Sequence, residues 1–444
     1  MTFRNKLGSR RIAVTEAMGS PSLWEVNDST GGFVWGGLGA FAIAVLLIVL
    51  TIGFRNQAND AGQTQAVASV SLSREVVEPA TVPSTATTIA PTTTTTTPPR
   101  TATLAFTGDT LAHRSVVEQA QTYASRAAAP EGAQYDFAPM FELVEPYLSA
   151  ADIAICHLET PLSPDNTRLS GFPTFNVPRE MADGLATAGY DGCTFASNHS
   201  LDQWPEGVAD SLEILDNAGL QHSGAARSEA EFLAPTIYDA NGIQVASLSY
   251  SYGFNGFREP EETPWLVNEI NLDEIAAEAQ AAREAGADYV VLSVHWGSEY
   301  VYDPDQFQTA NAEQFAALDG IDIVIGHHAH VVQPVATVDG LPVVFGLGNF
   351  LSNQSANCCV DGSQDGMIMN VHLNELANGS FETTLSYVPT RVDRTDFTIV
   401  PVNDALAEPG LATLPAAELV ASKERTAEVV YRQGRTDVTE VGPN

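Results

Sequence analysis

Three of the nine histidines stand within four residues of one another, at His327, His328 and His330. They directly follow the apolar run 321–325, which is typical of a buried strand. Crowded imidazoles repel one another when protonated, and they are most favourable when neutral and bound to a metal. An exposed histidine tract is the alternative, but such a tract seldom follows a buried strand. The pattern therefore predicts metal ligation.

Ligand-type side chains also end other apolar runs of the chain. They are Asp109, Glu159, Asn198 with His199, and His295. Ligands bind at the carboxyl edge of an open α/β sheet, so we expect these side chains to converge there. Carboxylate, amide and imidazole donors suit Mn, Fe or Zn ions, and the missing thiolate argues against a structural zinc site. One carboxylate with ligands on both sides would hold two ions about 3.5–4 Å apart, as in phosphoryl chemistry.

The elements that must position these residues alternate along the chain. Strands are predicted at 103–106, 151–155, 192–196, 244–249, 289–294, 321–325 and 343–345, and helices at 181–188, 205–218, 272–285 and 306–318. Such alternation predicts parallel or mixed sheets covered by helices. Segments 366–373 and 381–400 indicate additional β-structure with little helix.

An uncharged apolar segment runs from Phe33 to Phe54. As a helix it would span roughly 33 Å, enough for the hydrocarbon core of a bilayer. Four basic residues precede it, namely Arg4, Lys6, Arg10 and Arg11. The positive-inside rule then places residues 1–32 in the cytoplasm and everything after the segment outside the cell. A cleaved signal peptide is the alternative, but its apolar region and leading tail are usually shorter, and no clear small-x-small cleavage site follows the segment. We expect an uncleaved, single-pass anchor.

Composition divides the rest of the chain into three parts. Residues 55–100 are rich in Thr and Pro and cannot bury a core, so this composition predicts a disordered stalk. Residues 101–403 are long enough for one large α/β domain, and residues 404–444 are expected to form a partly helical or disordered tail. The net charge of −35, with Lys6 and Lys423 as the only lysines, excludes a basic surface for nucleic acid.

The four cysteines would lie outside the membrane, where disulfides are allowed. Cys156 and Cys193 stand in strand-like runs, so buried thiols and a bridge remain equally open. Cys358 and Cys359 are neighbours in a loop, and we expect that they cannot easily bond to each other.

Six short blocks in order carry a resemblance to a known family. They are Gly108-Asp109, His157-Leu158-Glu159-Thr160-Pro161-Leu162, Ser197-Asn198-His199-Ser200-Leu201-Asp202, His295-Trp296-Gly297-Ser298-Glu299-Tyr300, Gly326-His327-His328-Ala329-His330-Val331-Val332-Gln333-Pro334 and Gly348-Asn349-Phe350. In this order they resemble the CapA family of bacterial capsule or poly-γ-glutamate synthesis proteins, over about residues 101–395. That family is similar to the calcineurin-like metallophosphoesterases, which implies a four-layer α/β/β/α sandwich.

The resemblance also implies roles for individual residues. Asp109 would bind the first of two divalent ions, Glu159 would bridge, and Asn198 would bind the second, with His295, His328 and His330 completing the ligand set. His199 would donate a proton to a leaving group or position substrate, and Asp202 would orient it. The chain departs from the family at His157, where Asn is usual, and at Leu111 and Glu159, where the wider superfamily has His and Asp. Four further residues are expected to support the site, or are uncertain as ligands: His157, Glu299, His327 and Asn349.

The function implied is synthesis, export or attachment of an extracellular anionic polymer by a membrane-anchored protein with a dimetal hydrolase site. The resemblance implies three kinds of partner: an anionic envelope polymer or lipid-linked precursor, the membrane, and capsule-synthesis membrane subunits. Two alternatives stay open. One is a metal-dependent phosphoesterase that acts on an unrelated extracytoplasmic ester, and the other is a polymer-binding accessory protein without turnover.

Overall fold

The structure, a computed structural model, describes residues 98–126 and 130–444. The predicted cytoplasmic tail, the anchor and nearly all of the stalk lie outside these residues. Within the described part of the chain, no helix is both long enough and apolar enough to cross a membrane.

The described residues form strands and helices that alternate through most of the domain. The strands are β1 (Thr101–Thr110), β2 (Ile153–Leu158), β3 (Leu162–Ser163), β4 (Val177–Pro178), β5 (Gly192–Thr194), β6 (Gln221–Ser223), β7 (Ile237–Ala240), β8 (Ile243–Ser251), β9 (Tyr289–His295), β10 (Ile323–His327), β11 (Val335–Val338), β12 (Leu341–Val344), β13 (Asn349–Leu351), β14 (Asp365–Glu375), β15 (Phe381–Asp393), β16 (Thr398–Pro401) and β17 (Thr439–Glu440). The helices are α1 (Arg114–Ala124), α2 (Ala138–Phe141), α3 (Glu145–Ser149), α4 (Glu180–Thr187), α5 (Trp204–Asn217), α6 (Glu229–Phe232), α7 (Leu272–Glu284), α8 (Gln306–Ala316), α9 (Val402–Ala407) and α10 (Ala416–Val430), with a 3₁₀ turn at Asp361–Gln364.

Two mixed sheets contain most of the strands. The first sheet has the order β16-β15-β14-β1-β2-β5-β6, with β13 against β1 and β17 against β15. The second has the order β11-β12-β10-β9-β8-β7. In each sheet the central neighbours are parallel, whereas β14–β16 and the outer strands β7 and β11 are antiparallel. The predicted mixed sheets are therefore confirmed, and the additional β-structure predicted after residue 366 is β14 to β16.

The layers follow from the alternation of side chains along each strand. In β1, Leu104 and Phe106 pack with Ile325 of β10 in an apolar cluster shared by the two sheets. Ala105 faces the other way, into a cluster with the helices that cover the first sheet. Val324 likewise faces the helices that cover the second sheet. The order of layers is helix, sheet, sheet, helix. Each fully buried Leu, Ile or Phe side chain contributes roughly 1.5–3 kcal/mol to this core.

Two glycines near the ends of β1 and β10 allow a neighbouring backbone segment to approach closely. A Cβ on Gly108 would lie 2.1 Å from the carbonyl oxygen of Gly348, and a Cβ on Gly326 would lie 1.9 Å from that of Phe345. Both distances are far below contact, so larger residues would push the segments apart. Asp109 and His327 directly follow these glycines, so the close backbone approach helps to position both side chains.

The residues after 403 do not form a separate tail. Helix α10 packs Val429 and Val430 into the core between the sheets, and β17 pairs with β15. Asp365 of β14 ties this helix to the first sheet, since it accepts hydrogen bonds from Arg391, Ser422 and Arg425 at 2.6–2.7 Å. Helices α9 and α10 agree with the partly helical alternative expected from the sequence, but α10 and β17 pack against strands that are distant in the chain, which local composition does not indicate.

The structure pairs the cysteines in two disulfides. Cys156 and Cys193 stand opposite each other on neighbouring parallel strands, with Cα atoms 4.4 Å apart. Cys358 and Cys359 are also bonded to each other, contrary to expectation. Both of their backbone amides donate to the carbonyl of Ser355, at 3.1 and 2.9 Å, and this turn brings the two side chains together.

We predict that Asp365→Ala lowers the free energy of unfolding by about 3–5 kcal/mol, because it leaves the Arg391 charge buried without its partner. Asp361 contacts Arg391 and Arg425 as well, but its side chain is 58% exposed. Asp361→Ala is the matched control and should cost at most about 1 kcal/mol. Urea unfolding of both variants measures the difference, and equal losses would contradict the role given to Asp365.

Candidate metal centre

The predicted ligand residues all lie at one edge of the two sheets. Asp109 ends β1, His157 and Glu159 lie at the end of β2, Asn198 and His199 follow β5, His295 ends β9, His327 ends β10 with His328 and His330 in the turn behind it, and Asn349 begins β13. All of these residues are buried. Glu299, by contrast, is exposed at the edge of the site. The carboxyl ends of the parallel strands therefore meet as the sequence predicted.

Asp109 holds the histidine turn, residues 327–330, in place. Its Oδ2 lies 2.9 Å from His330 Nδ1, and its Oδ1 lies 3.4 Å from His327 Nδ1. The backbone amide of His328 donates to the same carboxylate, at 3.2 Å to Oδ2. Burial raises the pKa of Asp109, but its bonds to His327 and His330 outweigh that effect and hold the pKa well below its usual range. Asp109 is therefore a carboxylate at neutral pH.

Glu159 is buried with neither carboxylate oxygen hydrogen-bonded in the described residues. Its Oε1 lies 3.8 Å from both His295 Nε2 and His330 Nε2. Burial raises the pKa of Glu159 well above its usual range. A buried carboxylate without donors is costly, and proteins normally pair such a group or use it to coordinate a metal. These orphaned oxygens among imidazoles fit the metal ligation that the sequence predicted.

The turn 327–330 has a strained backbone. His328 and His330 have φ angles of 85° and 54°, in the left-handed region that is uncommon for residues other than glycine. His330 Nδ1 also lies 3.0 Å from Asn349 Oδ1, and the Asn349 amide donates to the carbonyls of His330 and Ser363. Asn349 thus ties β13 and the segment after it to the turn. Strain of this kind persists only where surrounding contacts impose it.

The pKa values of His328 and His330 are shifted in opposite directions. Burial lowers the pKa of His330, but the charges of Glu159 and Asp109 and the bond to Asp109 outweigh it and raise the pKa to about 9. Burial and the charge of His330 lower the pKa of His328 to about 3. His328 Nδ1 has no hydrogen-bond partner in the described residues, so this neutral ring has a lone pair that it can offer to a metal ion.

His295 faces two oxygen atoms. Its Nε2 lies 3.0 Å from Asn198 Oδ1, and Glu159 is the more distant second oxygen donor. On its other side, His295 Nδ1 lies 2.9 Å from His157 Nε2. Burial lowers the pKa of both rings. His295 is therefore a neutral imidazole with an oxygen-rich side and a side that contacts His157.

His199 and Asp202 form a hydrogen-bonded pair beside these ligands. His199 Nδ1 donates to Asp202 Oδ2 at 2.7 Å, and the same oxygen accepts from the backbone amide of Phe175 at 2.7 Å. The Phe175 ring packs edge-on against the imidazole, with centroids 4.8 Å apart. The carboxylate thus orients His199 and leaves its Nε2 free to act on a bound molecule, which is the geometry that the resemblance implied.

Among the described residues, four overlapping groups of three side chains each have ligand atoms that all lie within 4.8 Å of one another inside the group. They are Asp109 with His157 and His295, Glu159 with His295 and His328, Glu299 with His328 and His330, and Asp109 with Glu159 and His330. Carboxylate and imidazole donors in such groups suit Mn, Fe or Zn ions. When bound, such ions would polarise an ester and activate water.

Four residues at the site were given no role from the sequence. Thr194 lies 2.8 Å from His157, and Asn255 contacts both Asn198 and His199. The ring of Tyr252 packs at 4.7 Å from that of His328. His113, whose pKa burial lowers to about 4, packs edge-on against Phe175. Thr194 and His113 stand at strand ends, which is a usable signal, but nothing local marks Tyr252 or Asn255.

Fold and site together define a two-sheet α/β protein with a buried cluster of carboxylate and imidazole groups compatible with metal binding. The sequence model of the family described as bacterial capsule synthesis protein PGA_cap matches residues 103–354. The chain belongs to this family, which confirms the resemblance carried by the six blocks.

Named relatives lie at moderate identity. The chain is 27% identical over 249 residues to the PGA biosynthesis protein CapA of Bacillus subtilis (strain 168), covering 55% of this chain and 64% of that protein. It is 27% identical over 299 residues to the capsule biosynthesis protein CapA of Bacillus anthracis, covering 65% and 67%. The alignment thus spans just under two thirds of the Bacillus subtilis relative.

Solved structures match with low scores. A putative 5′-nucleotidase of Staphylococcus aureus has a TM-score of 0.42 at 15% identity, covering 73% of this chain and 58% of that one. The calcineurin-like phosphoesterase YfkN of Bacillus subtilis has a TM-score of 0.38 at 16% identity, covering 74% and 98%.

We predict that His330→Ala lowers the content of divalent metal, because it removes a ring placed between Asp109 and Glu159. His222→Ala should leave the metal content unchanged. His222 lies outside the cluster, beside Asp216 and Glu231. Elemental analysis of the purified, metal-reloaded chains compares the two variants. Equal losses would show that the 327–330 turn has no special part in binding.

Proposed function

We propose that this protein is anchored in the bacterial cell membrane and acts outside the cell in the synthesis, export or attachment of an anionic polymer. The polymer would be of the capsule or poly-γ-glutamate type, and the site would be a hydrolase centre with two divalent ions. Membership of the capsule synthesis family supports the polymer, as do the names of the two CapA relatives. The observation that carries the metal centre is the buried Glu159, whose two oxygens have no protein donor in the described residues.

The residues of the chain divide the chemistry between them. Asp109, Glu159, Asn198, His295, His328 and His330 would hold the ions, which supply an activated water and stabilise developing negative charge. His199, held by Asp202, would donate a proton from Nε2 to the leaving group. The burial of the ligand side chains at the strand ends restricts the access of bulk water, which strengthens charge interactions within the site.

The bond acted on is either a phosphate ester or an amide of the polymer. The His199–Asp202 pair favours turnover over binding alone, because a carboxylate that orients an imidazole is the usual arrangement of a general acid. An unrelated extracytoplasmic phosphate ester is the second candidate substrate, and the same pair supports it.

The location is part of the proposal. The apolar segment from Phe33 to Phe54 and the basic residues before it support a single-pass anchor with a cytoplasmic N-terminus. The Thr/Pro-rich residues that follow would hold the domain away from the bilayer surface. The substrate would then be a polymer or lipid-linked precursor outside the membrane, and capsule-synthesis membrane subunits would be the partners.

We predict that the metal-loaded chain hydrolyses a chromogenic phosphodiester and that His199→Gln lowers kcat by about 100-fold or more, since the leaving group loses its proton donor. The metal content should not change, because His199 belongs to none of the four ligand groups. His372→Gln, at a histidine bonded to Thr103 and Ser386 in the first sheet, is the control. A metal-loaded wild-type chain that cleaves neither a phosphodiester nor a γ-glutamyl amide would support the binding-only alternative.

We predict that protease treatment of intact, wall-stripped cells removes the domain, because the anchor would place it outside. A cytoplasmic marker protein should survive and a known external protein should be digested in the same sample. If the domain stays protected under these conditions, the proposed topology is wrong and the substrate is not reached from outside the membrane.

A further inference from the structure

We propose that Thr194 and His157 form a hydrogen-bonded chain to His295. The direction of donation along this relay decides whether the Nε2 atom of His295, which faces Asn198, carries a lone pair or a proton. Binding of a divalent cation selects the lone-pair direction. The inference rests on the proposed function, since it assigns residues to the same metal centre. It gives His157 a positioning role and adds Thr194, which no motif indicated.

The relay is built by the register of the first sheet. His157 of β2 and Thr194 of β5 are paired across parallel strands, and His157 Nδ1 lies 2.8 Å from Thr194 Oγ1. Thr194 Oγ1 in turn lies 3.3 Å from the backbone carbonyl oxygen of Cys156, to which its hydroxyl can donate. At the other end, His157 Nε2 lies 2.9 Å from His295 Nδ1 and joins the two sheets.

Both ring nitrogens of His157 are therefore engaged. Its ligand atom lies close enough to Asp109 and His295 for a shared ion, but ligation would require it to give up one of these hydrogen bonds. The ring is also held in place by stacking on His327, with centroids 4.0 Å apart and planes 16° apart. His157 is thus better placed to orient a ligand than to be one.

A relay of two neutral imidazoles can run in either direction. In the first, Thr194 donates to the Cys156 carbonyl, His157 donates from Nδ1 to Thr194, and His295 donates from Nδ1 to His157. His295 Nε2 then carries a lone pair. In the second, Thr194 donates to His157, His157 donates from Nε2 to His295, and His295 donates from Nε2 to Asn198. The number of protons is the same, because each ring carries one proton on the other nitrogen and the hydroxyl only rotates.

The oxygen-rich side of His295 makes the two directions respond differently to a cation. In the second direction, His295 Nε2 and Asn198 Oδ1 form an ordinary hydrogen bond at 3.0 Å. In the first, two lone pairs face each other at that distance, with the Glu159 carboxylate 3.8 Å from the same nitrogen. That arrangement is repulsive by itself and becomes favourable when a positive ion lies among the three atoms. A hydroxyl that can both donate and accept lets Thr194 end the relay in either case.

The test measures the affinity of the full-length chain, in detergent, for Zn²⁺ by competition with a chromophoric chelator. Removing the direct partner of a metal-ligating histidine usually weakens binding by about 10–100-fold, and Thr194→Val should approach this loss because it removes the group that fixes the His157 proton on Nδ1. Thr194→Ser keeps the hydroxyl and should bind as the wild type does. His157→Leu should weaken binding to a similar extent, whereas His157→Gln should retain most of it, because its amide oxygen can accept the proton of His295 Nδ1.

A second measurement separates positioning from stability. The rise in melting temperature on adding Zn²⁺ should be smaller for Thr194→Val than for Thr194→Ser, whatever their melting temperatures in chelator. Equal affinities and equal rises for these two variants would overturn the relay. Loss of binding in His157→Gln together with full binding in Thr194→Val would overturn it too, because His157 would then be a ligand. A wild-type chain that binds no Zn²⁺, Mn²⁺ or Fe²⁺ would instead overturn the proposed function on which the relay rests.

Discussion

The burial of two carboxylates beside each other dominates the arrangement of this protein. Asp109 and Glu159 end neighbouring parallel strands and are both inaccessible to solvent. Burying a charged group costs several kcal/mol after relaxation, so each needs compensation. Asp109 receives it from the histidine turn, through two imidazoles and the amide of His328. Glu159 receives no hydrogen bond from the described residues, and a divalent cation is the compensation that its imidazole neighbours can share.

The histidine turn is the element that this burial demands. The turn has two residues with left-handed φ angles, a backbone amide that donates to Asp109 and a side-chain contact with Asn349. These features exist only because β1, β10 and β13 approach within hydrogen-bonding distance. The glycines before Asp109 and before His327 permit that approach. A rigid scaffold of two packed sheets then holds the donor atoms in place, which is what a site needs when its groups must be aligned before anything binds.

Charge is distributed very unevenly over the molecule. The chain has a net charge of −35, but the site concentrates the histidines and so offers donors that can be neutral or positive. A polyanion would be repelled by the acidic surface as a whole, and bound divalent ions would provide the local positive charge that counters this. The metal centre and the proposed anionic substrate are therefore linked by electrostatics, not only by chemistry.

How much was predictable depends on the range of the interaction. Strand ends with Asp109, Glu159, Asn198, His295 and the histidine turn could be found from the sequence, because apolar periodicity and the residue types at its ends are local signals. The mixed sheets followed from the same alternation, and the four-layer order followed from the family resemblance. The structural contacts of Tyr252, Asn255 and α10 could not be found, since each depends on a partner far away in the chain.

The sequence by itself determined which donor atoms this protein can offer and that they meet at one edge of its sheets. Only the tertiary structure decided what each atom faces. It engaged both nitrogens of His157, left both oxygens of Glu159 without a donor among the described residues, and folded residues 404–444 onto the domain. The reason is that orientation and partnership depend on strand register and on packing between sheets. These are long-range properties, and a pattern of residue types along one chain does not contain them.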